Sequence, residues 1–167
     1  MFEISEYPIE KNELYSKLYN ESKALFTGET HPISNMANLS SLLYHALPNI
    51  NWVGFYLTTP SNNLLLGPFH GKPACIRIPF GKGVCGTAIE TLQIQRVADV
   101  HNFKGHIACD SASRSEIVIP LLKNDMCFGV LDVDSPLINR FEMEDQEGLN
   151  KIVELFIEAC DFTLLKI

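Results

Sequence analysis

Cysteine is the residue type in this sequence that offers the widest range of chemistry. Five occur among the 167 residues: Cys75, Cys85, Cys109, Cys127 and Cys160. Because their number is odd and no two have Cys-x-x-Cys spacing, we expect neither a framework of structural disulfides nor a zinc finger. Each cysteine is therefore either a small buried hydrophobic residue or a reactive thiol, and its surroundings must separate the two.

Two of the cysteines lie in segments that favour a reactive thiol. Cys85 lies in a glycine-rich turn that includes Gly81 and Gly83, just before a predicted helix at 87–92. N–H groups at a helix N-terminus lower the pKa of a nearby thiol. A phosphate-binding loop is the alternative there, but the glycines match neither the Walker A nor the dinucleotide pattern. Cys109 lies in a long irregular stretch, residues 99–113, and such stretches are usually functional or disordered.

The other three cysteines give weaker signals. Cys75 lies in the alternating segment 75–78, which predicts a strand, and it could pack in a core as readily as react. Cys127 is part of a strongly apolar predicted strand. Cys160 lies in the segment near the end of the chain whose periodicity predicts a helix. Burial is the expectation for these last two thiols.

Acidic residues form a second group that could do chemistry. Asp132 and Asp134 are two apart in a predicted strand, so their side chains point to the same face. Two carboxylates on one face repel each other and favour a cation between them. A solvated sheet edge is the alternative, and a hard metal ion is a third, although no further acidic ligand is close in sequence. Glu116 precedes the neighbouring predicted strand and is a possible neighbour across the hairpin.

The elements that must position these residues follow from hydrophobic periodicity. Apolar residues at helical spacing predict two helices at the start of the chain and one at its end. Segments rich in aromatic and β-branched residues, separated by turn residues, predict a mostly antiparallel set of strands. The predicted helices span 11–26, 32–47 and 142–165, and the predicted strands lie at 52–58, from 64 onward, 75–78, 95–97, 117–122 and 127–133. This order predicts an α+β fold in one domain, residues 1–167, with helices covering a central sheet.

Composition excludes several classes of protein. The hydrophobic fraction of 46% and charged fraction of 20% are typical of globular proteins, and no apolar run is long enough to span a bilayer. The net charge of −7 argues against nucleic acid as a partner, because phosphate binding needs a basic surface. Acidic residues are scattered through the first 19 positions, unlike in a signal peptide, so we expect a cytoplasmic protein with no membrane partner.

Several segments resemble the free methionine-(R)-sulfoxide reductases, and the likeness covers the body of the chain from position 51 to position 135. Its motifs are NWVGFY at 51–56, GPFHGKPACIRIPFGKGVCGTA at 67–88, DVH at 99–101, GHIACDSAS at 105–113, SEIVIP at 115–120 and GVLDVDS at 129–135. Three of these motifs carry Cys75, Cys85 and Cys109, and none departs from the family pattern.

The resemblance implies a GAF fold, with a central antiparallel sheet of about six strands, helices packed on one side and a loop-covered pocket on the other. It implies reduction of free methionine (R)-sulfoxide, with sulfoxide inside proteins a poor substrate, and thioredoxin as the electron donor. It also implies a homodimer, three redox-active cysteines, and no metal or other cofactor.

The expected roles follow from sulfoxide chemistry. A thiolate attacks the sulfoxide sulfur, and the resulting sulfenic acid is resolved by a second thiol. The oxygen leaves only when protonated, so an acid with a raised pKa is needed, and Glu116 is the first choice with Asp134 as the alternative. We assign attack to Cys109, resolution to Cys75 and a further redox role to Cys85, although the helix-terminus argument favours Cys85 for the attack.

Substrate binding is assigned to two kinds of side chain. Asp132 and Asp134 offer countercharge to the substrate ammonium, with Glu116 beside them. Trp52 and Tyr56 are expected to wall the pocket around the methyl group. A GAF domain that senses a small molecule without turnover is the alternative function, and a regulatory metal or thiol-redox module is a third.

Overall fold

The computed structural model describes residues 7–105 and 111–166, and within them it has four helices and six strands. The helices are α1 (Lys11–Phe26), α2 (Pro32–Ala46), α3 (Gly83–Thr91) and α4 (Met143–Ala159). The strands are β1 (Trp52–Thr58), β2 (Asn63–Gly71), β3 (Arg77–Pro79), β4 (Gln95–Val97), β5 (Ser115–Lys123) and β6 (Met126–Ser135). No helix in these two described ranges is both long enough and apolar enough to cross a membrane.

All six strands form one antiparallel sheet in the order β3-β2-β1-β6-β5-β4. The two hairpins β1–β2 and β5–β6 are local in sequence, and the long-range pairing of β1 with β6 joins them at the centre of the sheet. The turn of the second hairpin has Asn124 and Asp125 at positive φ, as a two-residue hairpin turn requires. The predicted α+β class and antiparallel sheet are therefore confirmed.

The sheet divides the interior into two apolar cores. On one face, α1, α2 and α4 cover residues such as Phe55, Leu131 and Val133, which alternate along β1 and β6. On the other face, α3 packs over a smaller core that includes Trp52, Tyr56 and Val118. Three helices cover one face as expected, whereas the other face, expected to carry a loop-covered pocket, is covered in part by α3.

Most predicted elements lie where the sequence places them, and four differ. The segment predicted as a strand at 75–78 is extended only at Arg77–Pro79, so Cys75 precedes the strand. Helix α3 begins at Gly83 rather than near residue 87, because the glycine-rich segment itself forms the first helical turn. Strand β5 begins at Ser115, so Glu116 lies inside the strand instead of before it. Helix α4 ends at Ala159, followed by a short 3-10 turn at Phe162–Leu164.

Candidate active site

Three buried side chains from different elements meet on the α3 face of the sheet. Glu116 extends from β5, Asp132 from β6 and Cys85 from the first turn of α3. One ligand-type atom from each, the Cys85 sulfur and a carboxylate oxygen of each acid, lies within 4.8 Å of the other two. We call Cys85, Glu116 and Asp132 the buried triad.

Strand register brings the acidic residues together. Glu116 pairs directly with Asp134 across the β5–β6 ladder, and Asp132 pairs with Val118. Leu131 and Val133, the residues on either side of Asp132, belong to the opposite core. Asp132 and Asp134 therefore point to the α3 face. The prediction that these two acids share one face with Glu116 is confirmed.

The two acids of the triad are buried without a cation. Glu116 and Asp132 are each 6% exposed, and no ion pair reaches either carboxylate within the described residues. One oxygen of Asp132, Oδ1, has no hydrogen-bond partner among these residues. A buried carboxylate oxygen without a hydrogen-bond partner is costly, which makes Asp132 Oδ1 a candidate contact for a ligand.

Burial governs the protonation of the triad. It raises the pKa of Glu116 well above its usual range, and the negative charges of Asp132 and Asp134 raise it further. Burial also raises the pKa of Asp132 to about 7, against smaller lowering contributions from the Cys85 thiol and the Glu116 carboxyl. Both shifts favour the protonated form of these carboxylic acids.

The same environment overturns the helix-terminus argument for Cys85. The thiol is 3% exposed and donates to Glu116 Oε1 at 3.8 Å. Burial, together with the charges of Asp132 and Glu116, raises the Cys85 pKa well above its usual value. The expectation of a thiolate stabilised by the α3 N-terminus is therefore wrong, because desolvation and two nearby acids outweigh the helix dipole.

Aromatic side chains form one wall beside the triad. Trp52 stacks on Tyr56 with ring centroids 5.9 Å apart, and on Phe69 at 5.4 Å. Trp52 Nε1 donates to the Lys72 carbonyl at 3.0 Å, which fixes the ring. Gly54 lies between Trp52 and Phe69, and a Cβ there would collide with both side chains, so this glycine permits the close stack.

Cys75 is tied to this wall. Its carbonyl accepts a hydrogen bond from the Tyr56 hydroxyl at 3.1 Å, and its side chain is disulfide-bonded. Cys85, Cys127 and Cys160 are free thiols. Cys160 is 2% exposed, as predicted, whereas Cys127 is only partly buried, with its thiol donating to the Gly129 carbonyl at 3.2 Å.

The described part of the irregular stretch 99–113 is anchored at both ends. Asp99 caps a 3-10 turn at Val100–Asn102 and pairs with Arg114 at 3.3 Å, and Ser113 accepts a hydrogen bond from Asn51 at 3.1 Å. His101 pairs with Asp99 at the surface and takes no part in the triad. His106, Cys109 and Asp110 lie outside the described residues, so the expected role of Cys109 stays a prediction.

Comparison with known proteins identifies the family. A model of the GAF domain matches residues 32–159. The chain is 53% identical to the free methionine-R-sulfoxide reductase of Escherichia coli over 143 residues, which cover 86% of each chain. The chain belongs to the free methionine-R-sulfoxide reductases, within the GAF domain family.

Other free methionine-R-sulfoxide reductases agree with this. The enzyme of Saccharomyces cerevisiae is 44% identical over 92% of this chain and 89% of its own length. An X-ray structure of the Neisseria meningitidis enzyme in complex with its substrate superposes with a TM-score of 0.91, at 38% identity and 95% coverage of both chains. As a member of this reductase family, the chain is an oxidoreductase.

The sequence of this reductase predicts most of the residues on the α3 face, but not the contacts between them. It named Trp52, Tyr56, Glu116 and Asp132, all of which lie on the α3 face, and it missed Phe69. The signal for Phe69 was Gly54, because a glycine inside an apolar strand marks the close approach of another group. The contact between Cys85 and Glu116 joins residues 31 positions apart and has no local signal.

Proposed function

We propose that this protein reduces free methionine (R)-sulfoxide to methionine. The observation that carries the proposal is the buried pair Glu116 and Asp132, which has no cationic partner among the described residues, beside an aromatic wall that contacts the disulfide-bonded Cys75. An acidic site without a cation suits a substrate that carries an ammonium, and an aromatic face suits a thioether methyl group. The close relationship to enzymes named for this reaction supports the same assignment.

In the proposed reaction, the Cys109 thiolate attacks the sulfoxide sulfur while Glu116 donates a proton to the oxygen. The substrate S–O bond breaks as the protonated oxygen transfers to the Cys109 sulfur, so methionine leaves as the reduced thioether and Cys109 is oxidised to a sulfenic acid. The raised pKa of Glu116 supports its role, since the group must hold a proton at neutral pH in order to donate it. Asp134 is the alternative donor.

The sulfenic acid is then resolved by a second thiol. We propose that Cys75 attacks it, forming a disulfide with Cys109 and releasing water. The disulfide-bonded state of Cys75 and the free thiol of Cys85 favour Cys75 over Cys85 for this step. A reduced dithiol protein, thioredoxin, would exchange its thiols for this disulfide and return both cysteines to the reduced state.

A single-turnover assay tests the thiol scheme. We expect Cys109→Ser to form no methionine and Cys75→Ser to form one equivalent but fail to turn over with thioredoxin. Cys127→Ser and Cys160→Ser serve as matched controls and should retain most of the activity. A full yield from Cys109→Ser would remove it as the nucleophile, and complete loss in Cys85→Ser alone would transfer that role to Cys85.

Peptide mapping after one equivalent of substrate tests the resolving step. We expect a cross-link between the peptides that hold Cys75 and Cys109. A stable sulfenate in place of that cross-link would contradict the scheme.

The acidic residues are proposed to select the free amino acid. Asp132 and Asp134 hold the substrate ammonium, so N-acetylation of the substrate should slow its reduction by on the order of 100-fold or more, because the acids then face a neutral amide. Asp132→Asn should raise KM more than it lowers kcat, and Glu116→Gln should do the reverse. Equal rates on the free and acetylated substrates would refute the ammonium site.

Partners and location are proposed from the family resemblance. A homodimer is expected, which light scattering on the purified chain tests directly. A cytoplasmic location agrees with a cycle that needs reduced thioredoxin. A sensor that binds the amino acid without turnover would consume no reductant, and this outcome separates the alternative function from the proposed one.

A further inference from the structure

The buried triad has the composition of a metal site that its sequence positions do not reveal. Asp132 and Asp134 alone suggest oxygen ligands for a hard cation, but the fold adds a sulfur. One thiol and two carboxylates lie within 4.8 Å of one another, and all three side chains are buried. We propose that Cys85, Glu116 and Asp132 bind one zinc ion.

Distances within the triad agree with zinc coordination. A tetrahedral zinc ion binds sulfur at about 2.3 Å and carboxylate oxygen at about 2.1 Å, so a sulfur and an oxygen ligand are about 3.6 Å apart. Cys85 Sγ and Glu116 Oε1 are 3.8 Å apart. The third ligand oxygen, from Asp132, lies within 4.8 Å of both, so small side-chain movements complete the set.

A second observation points independently to a ligand at this place. Asp132 is 6% exposed, and its Oδ1 atom has no hydrogen-bond partner among the described residues. Glu116 is equally buried and has no cationic partner in that part of the chain. A divalent ion would neutralise both carboxylates and give the orphaned oxygen a ligand bond, whereas an isolated acidic surface cluster would have its oxygens in water.

The mixture of donor atoms decides the class of metal. Magnesium and calcium prefer six or more oxygen ligands, so a thiolate in the set disfavours them. Copper(I) prefers several sulfur ligands. Zinc accepts cysteine sulfur and carboxylate oxygen together, with water in an open fourth position. On binding, each ligand that holds a proton releases it to the buffer.

Zinc in the triad would occupy the place proposed for the substrate. This part of the inference rests on the proposed function, because Asp132 and Glu116 are assigned there to methionine sulfoxide. Zinc and substrate should therefore exclude each other, which makes the ion an inhibitor rather than a cofactor.

Equilibrium dialysis with zinc chloride tests the site on the disulfide form of the protein, without an affinity tag. In that form Cys75 offers no free thiol. We expect one zinc per chain. Cys85→Ser should weaken binding on the order of 100-fold, since it removes a ligand. Cys127→Ser is the matched control, a free thiol outside the triad, and should bind like the parent chain. Equal binding by Cys85→Ser would overturn the proposal.

Cobalt(II) supplies a readout that does not depend on activity. Bound through Cys85, it should show a sulfur-to-cobalt charge-transfer band in the near ultraviolet. The band should disappear in Cys85→Ser and persist in Cys127→Ser. Glu116→Gln is the second variant, and it should keep the band but weaken zinc binding. Its thermal unfolding is measured in parallel, so that a folding defect is recognised. A missing band in the parent chain, or displacement of zinc by magnesium, would overturn the proposal.

Adding free methionine (R)-sulfoxide to the zinc dialysis separates this inference from the proposed function. Loss of zinc binding on addition of substrate supports both. Absence of zinc binding in a chain that still reduces the sulfoxide overturns the metal site alone. Zinc binding that substrate does not affect keeps the triad as a metal site and contradicts the assignment of substrate to Asp132 and Glu116.

Discussion

Asp145 and Asp132 are both buried, but their surroundings on the two faces of the sheet differ. Asp145 is 0% exposed, and its carboxylate accepts hydrogen bonds from Lys11 Nζ at 2.6 Å and from Arg140 Nη1 at 3.0 Å. It also accepts hydrogen bonds from the Tyr15 hydroxyl at 2.9 Å and from the Glu142 backbone N–H at 2.8 Å. These partners hold the pKa of Asp145 below its usual value, although burial alone would raise it.

On the α3 face, the surroundings of the buried acids have the opposite effect on their pKa values. Burial raises the pKa of Asp132 to about 7 and raises the pKa of Glu116 as well, and no cationic partner in the described part of the chain offsets this effect. Asp145, with hydrogen bonds to both carboxylate oxygens, links α4 to the neighbouring elements. A buried acid with an orphaned oxygen costs stability in the free protein and gains its partner when a ligand binds. Satisfaction of the buried charge therefore distinguishes Asp145, which has several polar partners, from the two acids proposed to contact the substrate.

The largest effect should come from Asp145→Asn. Removing one member of a buried charge cluster leaves Lys11 and Arg140 without their shared anion, and costs about 3–5 kcal/mol in the free energy of unfolding. Urea titration at pH 8 measures the loss. Because the pKa of Asp145 is lowered on folding, its contribution is present at neutral pH and fades as the pH falls through its folded-state pKa. A loss below about 1 kcal/mol would contradict the structural role.

Asp132→Asn should act in the opposite direction. The folded state raises the Asp132 pKa from 3.8 to about 7, so the acid has no cost below pH about 4, and the free energy of unfolding falls as the pH rises from about 4 to about 7 and then levels off. The variant should resemble the parent chain at pH 4 and exceed its free energy of unfolding by up to about 4 kcal/mol at pH 8. Equal urea midpoints for the two chains at pH 8 would contradict the unpaired state of Asp132.

Two tyrosines give a matched pair on the two faces. Tyr15→Phe removes a hydrogen bond to the Asp145 carboxylate and should cost about 2 kcal/mol, as bonds to charged groups do. Tyr56→Phe removes a bond to the neutral carbonyl of Cys75 and should cost about 1 kcal/mol. Thermal unfolding of both variants under one condition checks the order, which would be reversed if the α3 face were the more stabilising one.

The smallest effect should come from the exposed edge of the Asp145 cluster. Glu142→Gln removes the charge that pairs with Lys11 at 2.6 Å but keeps a side-chain oxygen that can cap α4. The Glu142 side chain is 58% exposed, so the change should alter the free energy of unfolding by about 0.5 kcal/mol. A loss as large as that of Asp145→Asn would show that surface charge, rather than burial, holds this cluster together.

The sequence predicted the elements better than the contacts between them. Periodicity located α1 and β1 at their observed bounds, since amphipathic spacing and strand composition are local properties. It misplaced the start of α3, because glycine is read as a turn signal even where tight packing against the chain requires it: a Cβ on Gly86 would collide with the Pro79 carbonyl. That error put Cys85 in a turn instead of a buried helical position.

The site was predicted in part for the same reason. Alternation along β6 placed Asp132 and Asp134 on one face, and the hairpin brought Glu116 beside them, so these assignments needed only local geometry. The raised Cys85 pKa could not be predicted, because it depends on burial under α3 and on acids from two other elements. The Asp145 cluster was missed entirely, since its cations come from positions 11 and 140.

The strand order has a consequence for how the protein folds. Hairpins β1–β2 and β5–β6 close over short loops and can form early, whereas β1 and β6 must close a loop of about 70 residues before they pair. That late pairing sets Asp132 opposite Gly54 and Asp134 opposite Trp52. The acids and the aromatic wall thus come from separate folding units. We therefore expect the acidic residues and the aromatic wall to come together only when β1 pairs with β6, so that any hairpin formed on its own holds just part of the site.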